Sequence, residues 1–460
     1  MLFSPQQIIT AMNRAAVLGE QTGKRAIPDD RRAVIVAGAR PPFTRAFSEL
    51  LNMDTIDLAS AAVQGLLDKT KVDRSAIDYV AWGGVILRNG APNTAREVVI
   101  DLKLPPSISA HTETMACASG LKAVISAVTM IETGNANVVI AGGSDSTSTT
   151  EIPLARDVAQ SLALYSFGKI GAFKLFQTAG LPCSWMPTRP GVTERSTGKT
   201  MGYHADVMCR NAKVTRDEQD AFAIASHKKS AEAVAKGLFA DEIIPVKTKA
   251  SPLAPSVTVS KDTMIRGKQD PDKVKSLKPA FRKESEGGTI TAATASPLTD
   301  GAAAVLIMSA RQAKSLGYPA DVGLRSWSAS GINPEPNLLL APALAIPVAL
   351  SRAGLSVSDI DFFEIHEAFA GQVLATINIL ASEELCKKHL GLPAAVGRID
   401  LNKVNIYGGS VSIGHPFGAT GARIVTNSAR ILRRNPKAKF VLISICAAGG
   451  LGLVAIMERL

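Results

Sequence analysis

The chain repeats itself in outline, and that repetition limits its possible folds more than any other feature. "AAVQGLLDKTKVDRSAIDYVAWGG" (residues 61–84) has a counterpart in "IPVALSRAGLSVSDIDFFEIHEAF" (residues 346–369). In both, an amphipathic helical pattern passes through a polar turn into an Ile-Asp-aromatic strand. "CASGLKAVISAV…NVVIAGG" in turn parallels "GATGARIVTNSA…FVLISICAAGG". Two copies of one unit bury a shared interface, and the ends of matching helices meet there.

Short Val/Ile runs alternate with helical patterns around these repeats. "AVIVAGA", "IDYVAWGGVI" and "ANVVIAGG" read as buried strands, and "DTIDLASAAVQGLLDKT" as the helix between the first two. That alternation predicts an α/β fold. The texture changes over residues 148–287, where "STSTTEIPL", the helical "TRDEQDAFAIASHKKSAEAVAKGLF" and the charged "RGKQDPDKVKSLKPAFRKESEGG" occur. The strand pattern resumes in "TDGAAAVLIMSA". The expected division is therefore an N-terminal arm or presequence (1–31), a first half (32–147 plus 288–310), an inserted loop domain (148–287) and a second half (311–460). Within the insertion, "SLALYSFGKIGAFKLFQTAGLPCSWMP" mixes aromatics, glycines, Lys169 and Lys174. It reads either as a surface for a membrane or partner, or as an ordinary packed loop and helix.

A formal charge of +11 favours anionic company. Nucleic acid is set aside, because aromatics make up only 5% and no Lys/Arg block forms an arm. The five cysteines, at 117, 183, 209, 386 and 446, are scattered and odd in number, which implies a reducing compartment. The richest apolar stretch, "LLLAPALAIPVAL", carries prolines and reads as a buried loop and helix start, so no transmembrane span is expected. The first 25 residues hold one acid, with Arg14, Lys24 and Arg25, and place Ile8, Met12 and Ala16 on one helical face. They fit a modest mitochondrial presequence or a plain arm. The terminal "ERL" is not the tripeptide read for peroxisomal import.

Chemistry-bearing residues gather at chain reversals. "HTETMACASGLKAV" places Cys117 where a strand gives way to a helix; "EIHEAFAG" places His366 at a strand end. "GGSVSIGHPFGATGARIV" puts His415 in a glycine-rich turn opening a helix, and "LISICAAGGLG" puts Cys446 where a strand breaks into glycines. Cys117 alone reads as a small buried residue or as a thiol aimed at a ligand. A helix N-terminus lowers a thiol's pKa from about 8.5 toward neutrality, and an adjacent imidazole (here His415) accepts its proton. No pair among these residues has the short spacing of a zinc motif, so no metal is expected. "GHPFGATG" lacks the Lys-Ser/Thr of a phosphate loop.

Together, "ACASG", "HEAF", "GHPFGATG" and a C-terminal Cys-x-x-Gly-Gly resemble the thiolase superfamily, with the similarity running from Arg32 to Leu460. "GARPPF" and "ASPLTDGAAAVLIMS" add to it. His366 stands where many thiolases have Asn, and with "CAAGG" this most resembles the β subunits of trifunctional fatty-acid oxidation enzymes. The resemblance implies a thiolase fold: duplicated βαβαβαββ-type halves, a five-layer α-β-α-β-α core and an inserted loop domain. It implies 3-ketoacyl-CoA thiolysis in β-oxidation, with acyl-CoA as substrate, coenzyme A as co-substrate and no permanently bound cofactor. Cys117 would be the acyl carrier, His415 its base and Cys446 the second acid/base, while His415 and His366 would serve one oxyanion site, His366 either directly or through a water. The backbone N–H groups of Cys117 and Ala448 would form a second oxyanion site. Ser296, Phe369 and Phe417 are candidate substrate contacts. A homodimer or larger assembly is implied, with a hydratase/dehydrogenase subunit, peripheral membrane contact and a mitochondrial or peroxisomal location as further expectations. The competing readings are a catalytically silent CoA- or lipid-binding scaffold and a condensing, acetoacetyl-CoA-forming enzyme.

Overall fold

The computed structural model describes residues 27–181, 185–187 and 191–460. The presequence expectation falls on residues outside those described, as does Cys183.

The first half opens with strand β1 (Ala33–Ala39) and helix α1 (Thr55–Thr70). Asp54 starts that helix by accepting from the N–H groups of Ile56 and Asp57, and Lys71 ends it at φ 56°. Next come β2 (Tyr79–Gly83), α2 (Thr94–Asp101), β3 (Ser109–Glu113), α3 (Ser119–Glu132) and β4 (Val138–Asp145). Every residue of β4 is buried, as the unbroken apolar run requires of a strand covered on both faces.

The chain then leaves the core. Helices α4 (Arg156–Ser166) and α5 (Ala172–Ala179) pack on each other around Val158, Leu175 and Ala179. Helices α6 (Met201–Asn211) and α7 (Arg216–Ala235) follow, the latter begun by a Thr215/Glu218 capping box. On return, β5 (Thr299–Ser309) slots between β1 and β4, antiparallel to both.

The second half repeats the plan with β6 (Val322–Gly331), α8 (Ala341–Ala353), β7 (Phe362–Ile365), α9 (Ala370–Ala381), α10 (Phe417–Arg434), β8 (Phe440–Ala447) and β9 (Leu451–Arg459). The first sheet runs β1-β5-β4-β2-β3 and the second β6-β9-β8-β7, so the two orders correspond strand for strand. The counterpart of β3 shrinks to one parallel bridge, Phe363 with Val404. The halves join edge to edge through the pair Val34 and Gly323.

Packing gives five layers. Leu58, Val63 and Leu66 of α1 cover one face of the first sheet on Val80, Ile140 and Leu306. Helices α3 and α10 lie between the sheets, with Leu121, Val124, Val425 and Leu432 in one apolar cluster. Ile346, Leu350 and Val373 of α8 and α9 cover the far face on Ile365, Leu442 and Ile456. Residues Pro334–Ala353 are long and apolar enough to cross a membrane, yet 67% of that window is buried here as a core segment. At the centre the backbones of α3 and α10 nearly touch. A Cβ on Gly120 would stand 2.2 Å from the Gly418 carbonyl oxygen, and one on Gly421 would stand 2.1 Å from the Leu121 nitrogen.

Candidate active site

That close crossing carries two helix starts to one place. The turn from β3 to α3 is tight: Ala116, just before Cys117, has φ 47°. Ser119 stabilises the turn, its Oγ accepting from the Met115 N–H at 2.8 Å and donating to the Ala116 carbonyl at 2.6 Å. Helix α3 has no side-chain cap; the Ala118 and Ser119 N–H groups donate back to the Met115 and Ala116 carbonyls at 3.1 and 3.0 Å. Opposite it, Asp145 accepts from the Gly418 N–H at 2.6 Å, and from Val85 and Ile86, anchoring the start of α10.

His415 precedes that start. Its N–H donates to Thr299 Oγ1 at 2.8 Å, and its Nδ1 lies 2.6 Å from Thr420 Oγ1. His366 follows β7, with its N–H on the Ser444 carbonyl at 2.8 Å and its Nδ1 2.9 Å from Ser410 Oγ. The two rings lie 4.1 Å apart at 44°. In each, the Nε2 is buried and has no hydrogen-bond partner among the described residues. The Cys117 sulfur and one nitrogen of each ring all lie within 4.8 Å of one another. Cys446, 2% exposed at the end of β8, neighbours the Cys117 thiol. The fold therefore gathers all four residues singled out at chain reversals.

The electrostatics correct one expectation. Burial pushes the Cys117 thiol up to about 12, and this outweighs the N–H groups of Ala448 and Cys117 that pull it down. The resting group is a thiol, although the helix start alone favours a thiolate. Burial also lowers His415 to about 3, with Arg423 adding to the effect. His366 falls well below its usual value through burial, then through His415 and Arg423. Burial raises Cys446 as well, reinforced by Cys117. At neutral pH the site holds two thiols and two neutral imidazoles.

The remaining candidates sit close by. Ala448 has an ordinary backbone, whereas Gly449 and Gly450 have φ 81° and 70°, so a residue with a Cβ fits there without strain. Ser296 donates its N–H to the Ala368 carbonyl at 3.0 Å, and the bridge between Leu298 and His415 runs the same segment past the imidazole. Phe417 meets the His415 ring edge-on at 5.3 Å. Phe369 is buried, with its ring against Phe281 at 5.7 Å.

Sequence reasoning missed the supports. Glu367 accepts from Ser226 at 2.8 Å, Asn405 at 2.7 Å and the Val411 N–H at 3.1 Å. Asn405, itself at φ 45°, also clamps the N–H and carbonyl of Ile365, both at 2.8 Å. These contacts fix the strand end that carries His366. Glu194 of the insertion accepts from the Gly449 N–H at 2.8 Å and so holds the loop after Cys446. An acid directly after the histidine was the available signal for Glu367. Asn405 and Glu194 leave no comparable mark.

Known proteins resemble this chain over most of its length. Residues 33–311 match the family model described as thiolase, N-terminal domain, and residues 318–459 the thiolase, C-terminal domain. A 3-ketoacyl-CoA thiolase of Pseudoalteromonas translucida is 38% identical over 94% of this chain and 98% of its own. A probable 3-ketoacyl-CoA thiolase of Caenorhabditis elegans is 40% identical over 92% of this chain and 93% of its own. The crystal structure of human mitochondrial 3-ketoacyl-CoA thiolase superposes with a TM-score of 0.77 at 27% identity, covering 94% of this chain and 99% of that one.

Proposed function

The chain belongs to the thiolase family, and from that premise we propose that it cleaves 3-ketoacyl-CoA with coenzyme A through an acyl-Cys117 intermediate. The observation that carries this reading is the convergence of the Cys117 sulfur with the His366 and His415 rings, whose Nε2 atoms have no other described partner.

Cys117 attacks the 3-keto carbon as its proton passes to His415 Nε2. For that, His415 keeps its other proton on Nδ1, donating to Thr420 Oγ1. His366 takes the opposite tautomer. Its Nδ1 accepts from Ser410, and Nε2–H donates to the oxyanion. Collapse breaks the Cα–Cβ bond, leaves the acyl group on sulfur and releases the acetyl-CoA enolate, whose carbon takes the Cys446 proton. Coenzyme A then enters, gives its thiol proton to the Cys446 thiolate and attacks the thioester. Shortened acyl-CoA departs as His415 returns the proton to Cys117. The N–H groups of Cys117 and Ala448, which already reach the Cys117 sulfur, serve the second oxyanion. Ser296, Phe369 and Phe417 line the approach, and the basic insertion over 148–287 receives the coenzyme A phosphates. Incubation with 3-ketoacyl-CoA followed by peptide mass spectrometry tests the reading: an acyl adduct on the Cys117 peptide is expected, and normal binding with Cys117 unmodified sinks it.

The same reading extends to surroundings. Support for a homodimer comes from β3, which ends its sheet with no outer strand among the described residues and leads into the Cys117 turn. Support for peripheral membrane contact comes from the α4–α5 hairpin, where Phe167 and Phe173 are 79% and 83% exposed beside Lys169 and Lys174. The acid-poor first 25 residues support a mitochondrial location. Flotation with anionic vesicles tests the hairpin; a Phe167→Ser/Phe173→Ser variant that floats as well as the parent would remove that element.

A further inference from the structure

We propose that Cys117, His366 and His415 form a reversible binding site for a borderline-soft divalent ion, Zn2+ above all, which blocks the nucleophile. The ligands are far apart in sequence, so spacing rules for local zinc motifs miss them. The fold brings one sulfur and two ring nitrogens within 4.8 Å of one another.

Tetrahedral zinc with nitrogen and thiolate ligands holds them about 3.3–3.8 Å apart. Closure therefore needs a contraction of up to about 1.5 Å, shared among small side-chain adjustments of Cys117, His366 and His415. Both Nε2 atoms are buried and unpartnered among the described residues, and such orphaned groups gain most from a ligand. Each Nδ1 already has an outer partner, Ser410 or Thr420, which orients the ring as the outer contacts of metal-bound imidazoles do. Hydroxyl partners matter here. Unlike a carboxylate, a hydroxyl can accept from Nδ1–H or donate to bare Nδ1, so His366 can exchange the tautomer used for oxyanion binding for the one that offers Nε2 as a lone pair.

Zinc takes a cysteine sulfur as the thiolate, so Cys117 must lose its proton on binding. As the Zn–S bond forms that proton passes to solvent, with no change of oxidation state, so binding strengthens with pH. The fourth position stays open to water. An acylated sulfur cannot serve as the thiolate ligand, so the ion selects the unacylated enzyme.

The three ligands stand together in the resting enzyme and need no thiolase turnover to bind, so metal binding is read apart from activity. The probe is Zn2+ alone, titrated into the full chain against a chromophoric chelator, with iodoacetamide labelling of Cys117 followed in parallel. Expected are one tight equivalent per chain, Cys117 labelling slowed at least about tenfold at that ratio, and affinity at least about tenfold weaker in His366→Asn and in the near-isosteric Cys117→Ser. Zn2+ binding undiminished in both variants would overturn the proposal, as would one bound equivalent that leaves Cys117 labelling unchanged. Proteins that label as expected yet fail to turn over 3-ketoacyl-CoA would count against the functional reading and leave the metal site standing.

Discussion

His366 and His415 lie ring to ring, 4.1 Å between centroids; each has a ring nitrogen within 4.8 Å of the Cys117 sulfur and a buried Nε2 with no partner among the described residues. Neither ring is charged near neutral pH, because burial and then nearby positive charge remove the proton. Their hydroxyl partners leave the two free to hold opposite tautomers. A proton acceptor and a proton donor can thus stand side by side in one dry site.

The first consequence concerns pH. A lowered imidazole pKa keeps His415 competent as a base below the usual histidine range, down toward about 3. The acid limb of kcat/KM for Cys117 acylation should therefore show no break near 6.5 and stay flat from pH 8 to about 5.5. Because the thiol sits at about 12, iodoacetamide labelling of Cys117 in the free enzyme should climb up to pH 9 without a plateau near 7. A plateau there would reveal a thiolate–imidazolium pair instead.

Removing the His366 ring tests the oxyanion assignment. His366→Ala should lower kcat on a medium-chain 3-ketoacyl-CoA by about 10²–10³-fold, with little change in KM. His366→Asn, which retains a donor, should recover part of that loss. If both variants match the parent, the ring stabilises no charge in the reaction.

Cys446 is expected to separate the two half-reactions. Cys446→Ala should still take an acyl group onto Cys117 from an acyl-CoA donor, read by mass spectrometry. Carbon–carbon cleavage should fall below detection, because nothing then protonates the enolate. Cleavage at the parent rate would move the acid/base role elsewhere.

Asn405 is the stability test. Its side chain satisfies both backbone groups of Ile365 and one oxygen of Glu367, all buried. Asn405→Ala should cost about 3 kcal/mol, since the orphaned groups are expensive and alanine also tolerates φ 45° poorly. Chemical denaturation should show this as a lowered midpoint, and kcat should fall with it as His366 loses its mooring.

Much of the architecture is legible in the amino-acid order because it rests on short-range patterns. The apolar run "NVVIAGG" demands a strand covered on both faces, and β4 is such a strand. The paired helix-to-strand segments anticipate the matching strand orders of the two sheets. The four chemical groups are visible because each marks a chain reversal. What stays hidden depends on long-range contact or dielectric environment. Val404 pairs with Phe363 through one bridge that no local pattern encodes. The partnership of Asn405 with Glu367 spans 38 residues. The protonated state of Cys117 follows from burial, which a helix-start argument does not see.

The bare crossing of α3 and α10 has a consequence for how such a site can change over generations. Gly120 and Gly421 let two backbones meet where any side chain would drive them apart. Cys117 precedes one helix and His415 the other, so the distance between thiol and base is set by atoms that belong to neither. Drift at these glycines would silence the enzyme while leaving every reacting residue in the sequence. A lineage can therefore lose this activity without a change in its reacting residues, and a methyl where the crossing had a hydrogen would be the only written record.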